Sequence, residues 1–328
     1  MVKKSPTHAP GFVEPMQCLV VAKLPEGPDW EYEIKFDGYR ALGIKVNGRL
    51  QLRSRNGNDF SGRYPLIVRA LSKLTDDTVI DGEIVALDES GSPSFNVLQN
   101  YNHAGTPLQF YVFDLLQLRG KNLQACTLSE RRELLRSKVM PHLGGEVVLL
   151  SERLEATASE VVAAVKQQGL EGVIAKRRDS RYEAGRRSGA WVKMRVNKGQ
   201  ELVIGGYVPS EKNFDSLIVG YYQGRELRYV ARVRNGFVPV LRARVFEGFK
   251  GLAVDACPFS NLPQRDKGRW GQGLTADKMA ECRWLKPELV AQIEYADWTD
   301  ANHLRHSKFI ALRDDKDAED VRREQPVR

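Results

Sequence analysis

Between Tyr32 and Asp37 the side chains alternate, and that alternation restricts the chain more than any other feature does. Tyr32, Ile34 and Phe36 fall on one face of an extended strand, and Glu33, Lys35 and Asp37 fall on the other. Asp37-Gly38 predicts a tight turn, with Arg40 just beyond it. Alternation resumes through Leu42, Ile44 and Val46, stops at Asn47-Gly48, and returns at Leu50 and Leu52. That is the pattern of a hairpin closed by a two-residue turn. On its return strand Gln51, Arg53 and Arg55 oppose the leucines. The chain therefore starts from β-structure whose polar face carries a lysine between carboxylates. An amine attacks only when deprotonated, which near neutral pH needs desolvation or neighbouring cations. A lone Lys-x-Asp-Gly reads as an exposed charged strand, so the rest of the chain must supply partners.

With 328 residues the chain is long for one core, and two domains are expected. No apolar run approaches the ~18 residues of a membrane span. The start, Met1-Val2-Lys3-Lys4-Ser5-Pro6, is basic but has no apolar segment behind it, which predicts a cytoplasmic protein. Fifty Lys and Arg against 42 Asp and Glu give +8, a surplus that suits a polyanionic partner. Cys18, Cys126, Cys257 and Cys282 form no Cys-x-x-Cys pair, so neither a zinc module nor a disulfide framework is indicated.

Helical spacing appears over Tyr64–Leu74, and strands are expected over Val79–Leu87 and Phe110–Leu116. Thr127-x-x-Glu130 and Thr157-x-x-Glu160 read as capping boxes that open two helices, the second closing near Gly169. Strands return at Gly172–Ala175 and Trp191–Met194. A boundary is expected near Asn197-Lys198-Gly199-Gln200. Beyond it Leu202–Tyr207, Ser216–Tyr222, Leu227–Val233, Trp284–Lys286 and Val290–Ala296 read as five short strands, with a helix near Pro239–Phe249. That spacing suits a small Greek-key barrel of the OB type. The domains are accordingly set at 1–197 and 198–316, with a charged, solvated tail at 317–328.

Charged motifs recur in order. Ser54-Arg55-Asn56-Gly57 follows the hairpin and offers a guanidinium to a phosphate. Asp81-Gly82-Glu83 puts two carboxylates on one strand face, with a glycine that leaves room for a ligand. Tyr111-Val112-Phe113-Asp114 places two rings in an apolar strand. Glu171 stands at a turn before an apolar strand ending at Lys176. Lys193 and Arg195 share one face of Trp191–Arg195, and Arg313-Asp314-Asp315-Lys316 closes the second domain. Each motif alone reads as a solvated face or a packed ring; six in series do not.

In this order the motifs resemble those of ATP-dependent DNA ligases. Lys35-x-Asp37-Gly38-x-Arg40 resembles the nucleotidyl-acceptor motif that those enzymes share with RNA ligases and mRNA capping enzymes. The wording Phe12-Val13-Glu14-Pro15-Met16 and Tyr32–Arg40 is most similar to the ligase domain of the bacterial ligase D group, and the resemblance runs from about Phe12 to Lys316. It implies an α+β fold: an ATP-grasp-like nucleotidyltransferase domain with antiparallel sheets, then an OB-fold barrel. It implies that Lys35 takes AMP from ATP and that a nicked or broken duplex is sealed. It assigns Glu33, Arg40, Arg55, Glu83, Phe113, Lys176 and Arg313 to nucleotide binding, with Phe113 under the adenine. It gives Glu83 and Glu171 to Mg²⁺ or Mn²⁺, Lys193 and Arg195 to the α-phosphate, and Arg313, Asp315 and Lys316 to the leaving pyrophosphate. Arg195 departs from the family's second lysine, so a fork replaces a point donor there.

The same resemblance implies non-homologous end joining beside a Ku-type end-binding protein, with polymerase and phosphoesterase functions on separate proteins or absent. A monomer associated with the nucleoid, and with no membrane, is expected. An RNA ligase, a GTP-dependent capping guanylyltransferase and an inactive DNA-end-binding module remain the alternatives.

Overall fold

The structure, a computed structural model, describes residues 11–101, 105–143, 145–196, 198–264 and 274–324. The alternating run forms strand β1, Trp30–Lys35, and the hairpin forms β2, Tyr39–Val46, and β3, Arg49–Ser54. Asn47 and Gly48 both have positive φ, 52° and 74°, as a two-residue primed turn requires. Helix α1, Pro65–Ala70, continues as a 3₁₀ turn, Leu71–Lys73. Strands β4, Thr78–Ala86, and β5, Leu108–Leu118, follow, then helix α2, Leu128–Leu134, and strand β6, Val148–Leu150. Helix α3, Ala158–Gln167, leads to β7, Gly172–Arg177, and β8, Trp191–Arg195.

Both capping boxes are present, on Thr127 with Glu130 and on Thr157 with Glu160. Each satisfies backbone donors that the helix cannot, worth about 0.5–2 kcal/mol per cap. Gly169, just past α3, has φ +66° and ends it.

The chain divides into two compact units, Met1–Val196 (with Gln325–Arg328) and Asn197–Glu324. In the first, one sheet runs β8–β7–β1, all antiparallel, with Leu19–Val20 parallel to β8. The other runs β3–β2–β4–β5, with β6 parallel to β5. Helix α3 seals the first sheet through Ala158, Val161 and Val165, which pack on Tyr32, Val173, Ala175 and Val192. A second cluster joins residues of both sheets: Leu42, Ile44, Val79, Leu116 and Trp191, with Met16, Leu128 and Tyr182. Burying each such aliphatic side chain contributes about 1.5–3 kcal/mol.

The second unit contains β9, Gly199–Pro209, β10, Phe214–Gln223, β11, Glu226–Val233, helix α4, Pro239–Glu247, β12, Arg283–Glu294, and β13, Lys308–Leu312. The order is β11–β10–β9–β12, with β13 on the far side of β12. A bridge between Asn235 and Lys308 brings the end of β11 back to β13 and closes the curl.

Three expectations change here. Trp284–Lys286 and Val290–Ala296 are one strand, β12, carried past Pro287. Ile204 pairs with Leu289 and Gly206 with Trp284, so the proline lies in a bulge, where its missing N–H costs no ladder bond. The fifth barrel strand is β13, with Phe309 and Ala311 turned inward. The tail is not solvated throughout: Ala318 and Val321 are each 6% exposed and join the barrel core. The Val321 carbonyl also accepts the Tyr222 N–H at 2.9 Å, and this pairing with burial outweighs the charges around it.

Candidate active site

Register decides which side chains meet. On β7, Gly172 stands opposite Lys35 of β1 and Arg195 of β8, Ile174 opposite Glu33 and Lys193, and Lys176 opposite Glu31 and Trp191. Directly opposed residues share a sheet face. Glu31, Glu33, Lys35, Lys176, Lys193 and Arg195 therefore line one face of the first sheet.

Glu171, the residue before β7, reaches onto that face. One of its oxygens accepts a hydrogen bond from Lys35 Nζ, and the other accepts from Arg195 Nε at 3.1 Å. Lys35 and Glu171 are only 17% and 16% exposed. Burial alone would raise the Glu171 carboxyl, but Lys35, Arg195 and Lys193 outweigh it and hold the group below the usual carboxylate range. The two positions of the basic strand thus act on one carboxylate, Arg195 by direct contact.

Deeper on the same face the carboxylates are engaged. Glu33 Oε1 lies 2.5 Å from Arg132 Nη1 and 2.7 Å from Lys176 Nζ, and its Oε2 accepts the Ser151 hydroxyl at 2.9 Å. Lys176 Nζ also sits 4.3 Å from the centre of the Phe113 ring and 4.4 Å from that of Trp191.

The second sheet carries the other motifs. Asp81 opposes Asp114, whereas Glu83 opposes Tyr111. One step on β4 therefore spans two on β5 between Asp114 and Val112, and Phe113 is the extra residue of a bulge. Bulges re-aim side chains near functional sites. Glu83 is half-buried beside the β1–β2 turn. A Cβ on Gly38 would lie 2.9 Å from Glu83 Cγ and 2.2 Å from the Ile84 carbonyl oxygen, so only glycine brings the Lys35 turn this close to β4. The half-buried Arg55 begins the turn after β3, its N–H on the Arg40 carbonyl at 3.1 Å.

Several assignments need correction. Arg40 does not present its fork to a nucleotide: Nε and Nη2 bind Asp81 at 3.0 and 2.7 Å, and Nη1 donates to the Met16 carbonyl at 2.5 Å. A buried carboxylate captures it, and the Tyr182 hydroxyl adds a 2.7 Å hydrogen bond to the same Asp81. Gly82 leaves no room for a ligand, because a Cβ there would meet the Phe110 ring at 2.7 Å. In the second unit Arg313 is paired with Asp315, Nε–Oδ1 at 2.8 Å and Nη2–Oδ2 at 2.9 Å, and Lys316 faces Glu201 at 3.3 Å. Arg313 and Asp315 are buried, so that motif is not an exposed charge run. The sequence reading named Asp81 and Asp114 within motifs but not as the partners of buried arginines, and it missed Arg131, Arg132 and Tyr182. Nothing local marks them, for Arg131 and Arg132 sit in a helix whose composition looks solvent-facing.

Among the described residues no group of three or more His, Cys, Asp and Glu gathers as a metal cage. Glu83 and Glu171 are single carboxylates. They fit a hard cation that draws most of its oxygens from phosphate and water, as Mg²⁺ does at triphosphates.

Residues 15–195 match the family described as "ATP dependent DNA ligase domain", and residues 210–316 match "ATP dependent DNA ligase C terminal region". The chain belongs to the ATP-dependent DNA ligases. It has the nucleotidyltransferase domain and the C-terminal OB-fold of that family. It is 37% identical over 301 residues to the multifunctional non-homologous end joining DNA repair protein LigD of Mycobacterium tuberculosis H37Rv, covering 90% of this chain and 37% of that protein. It is 32% identical over 330 residues to LigD of Pseudomonas aeruginosa, covering 98% of this chain and 38% of that protein. The chain thus spans well under half the length of these relatives. A structure of mycobacterial DNA ligase D complexed with ATP and MES superposes with a TM-score of 0.68 at 34% identity, covering 95% of this chain and 98% of that one.

Proposed function

We propose that this ligase seals 5′-phosphate/3′-hydroxyl breaks in duplex DNA through a lysyl-AMP and then a DNA-adenylate. The observation that carries the reading is the shared sheet face, on which Lys35 meets Glu171 while Lys193 and Arg195 flank them. The Lys35 amine attacks the α-phosphorus of ATP. An N–P bond forms and the P–O bond to pyrophosphate breaks. Attack needs the nitrogen lone pair, so Lys35 must first give up a proton, to the Glu171 carboxylate it faces or to water, before the N–P bond forms. Lys193 and Arg195 face the transferred phosphoryl group and offset its charge. Bound by Glu83 or Glu171 together with phosphate oxygens and water, Mg²⁺ or Mn²⁺ would add further neutralisation. Phe113 offers its ring to adenine, and Arg55 lies within the same unit for the ribose and phosphates. AMP then passes to a 5′-phosphate, and the adjacent 3′-hydroxyl displaces it.

In this reading the barrel's Arg313, Asp315 and Lys316 serve pyrophosphate departure. Arg313 must exchange Asp315 for phosphate oxygens to do so. DNA is held chiefly through its phosphates, in keeping with the +8 charge, and affinity falls as salt rises. The role is end joining near the nucleoid, as a monomer, beside a Ku-type protein. The test is incubation with α-labelled ATP and a divalent ion, followed by sealing of matched nicked DNA and nicked RNA. Label should attach covalently to the native chain, not to Lys35→Ala, and DNA should be sealed faster. Label on Lys35→Ala sinks the mechanism, and a preference for RNA or GTP overturns the proposed substrates.

A further inference from the structure

Consecutive residues of an α-helix project about 100° apart, so Arg131 and Arg132 of α2 reach in different directions. Arg131 is fully buried. Its Nε and Nη2 fork onto Asp114 at 2.8 and 2.8 Å, and its Nη1 donates to the carbonyls of Cys126 and Ser180 at 2.8 and 3.0 Å. Arg132 Nη1 donates to Glu33 Oε1 at 2.5 Å and to the Phe113 carbonyl at 3.4 Å. Its Nη2 donates to the Ser151 carbonyl at 2.7 Å, and its Nε lies 3.2 Å from Glu31 Oε1.

The two strands so held belong to different sheets. Glu31 and Glu33 precede Lys35 on the same face of β1. Asp114 adjoins Phe113 on β5, and Phe113 occupies the bulge, where the ladder to β4 gives the backbone least support. Arg132 grips that carbonyl and the β1 carboxylate with a single nitrogen. The β1–β2 turn also links the two sheets near Lys35, but a turn does not fix how far β1 stands from β5.

We propose that Arg131 and Arg132 are positioning residues for lysyl-adenylate formation: they clamp β1, which carries the attacking amine, to β5, which carries the Phe113 ring, at one spacing. The inference rests on the ligase reading above. If adenine lies on Phe113, the spacing between β5 and β1 sets the distance from the α-phosphorus to Lys35 Nζ. A displacement of about 1 Å from attack geometry costs on the order of 100-fold in rate.

The test is single-turnover labelling at saturating ATP, reading the rate constant and the amplitude separately, with a thermal melt for each variant. Arg132→Met should slow labelling about 10- to 100-fold, and Arg132→Lys should recover part of the rate, since an ammonium cannot serve Glu33, Glu31 and both carbonyls together. Arg131→Met combined with Asp114→Leu leaves no unpaired buried charge and keeps the fold testable; it should label to full amplitude but about 10-fold more slowly. A purely structural role would lower amplitude and melting temperature while the labelled fraction reacts at the native rate. That result, or native rates in both Arg132→Lys and the double variant, overturns the proposal. Absence of label on the native chain would instead sink the ligase reading itself.

Discussion

Lys35–Glu171 and Arg131–Asp114 are ion pairs in the same unit, yet their surroundings differ. The first is 17% and 16% exposed, and its carboxylate is shared with Arg195. The second is 0% exposed on both sides, and Arg131 also spends its remaining nitrogen on two carbonyls. A carboxylate between two partly exposed cations can exchange one of them for an incoming phosphate. A forked pair sealed from water has nothing to exchange with. Both are ion pairs within one unit, so burial together with the freedom to swap partners separates chemistry from scaffold better than charge does.

The most direct way to break this comparison is Lys35→Ala. Self-adenylylation should vanish while the melting temperature stays near the native value, because Arg195 still neutralises Glu171. Radiolabel transfer and calorimetry on the same preparation check it. An unfolded variant would place Lys35 with the scaffold instead.

Next in size is Arg131→Ala, which strands Asp114 in the core. Removing one partner of a buried pair costs about 3–5 kcal/mol, a large share of a typical domain's stability. Urea unfolding followed by circular dichroism should show the midpoint fall without a change in slope. A loss below about 1 kcal/mol would mean that water reaches Asp114 and that the two pairs are alike.

How much of this contrast could be read from the chain alone depends on how local each feature is. The Asn47-Gly48 hairpin and the Thr127 and Thr157 caps were legible because their partners lie within a few residues. Lys35, Lys193 and Arg195 were legible because strand periodicity places them on one face once the register is known, whereas Glu171, just outside β7, was legible only through the order of the motifs. The Phe113 bulge was not, since it arises from a mismatch between β4 and β5. Nor was the capture of Arg40 by Asp81, 41 residues away. Arg131 and Arg132 look like solvent-facing helix residues until the two sheets close over them. Strand β12 was split at Pro287 because the sequence does not reveal the bulge that accommodates it.

Acid titration sharpens the comparison through Glu171. Its carboxyl titrates below the usual range, because the cations Lys35, Arg195 and Lys193 outweigh the effect of burial. A carboxyl depressed in the folded state contributes stability above its unfolded value, near 4.3, and that contribution fades as pH falls through the folded value. Glu171→Gln should therefore flatten the loss of stability below about pH 5, while labelling activity falls at every pH. Denaturation midpoints across the acid range provide the check, and an unchanged acid limb would mean that Lys35 and Arg195 do not stabilise the ionised form.

The smallest effect belongs to a third pair, Arg136–Glu152, at 2.8 Å but 57% and 65% exposed. Its single contact, Nη2 to Oε2, is as short as either contact of the forked Arg131–Asp114 pair, but it lies open to water. Water and salt screen it, and holding two long side chains together costs entropy, so Arg136→Ala should shift stability by less than about 1 kcal/mol. The shift should shrink further on raising salt from 0.05 to 0.5 M, over which the screening length falls to on the order of 5 Å. A salt-insensitive loss approaching that of Arg131→Ala would show that distance, not burial, sets the strength of these pairs, and the separation drawn between Lys35–Glu171 and Arg131–Asp114 would then lose its physical basis.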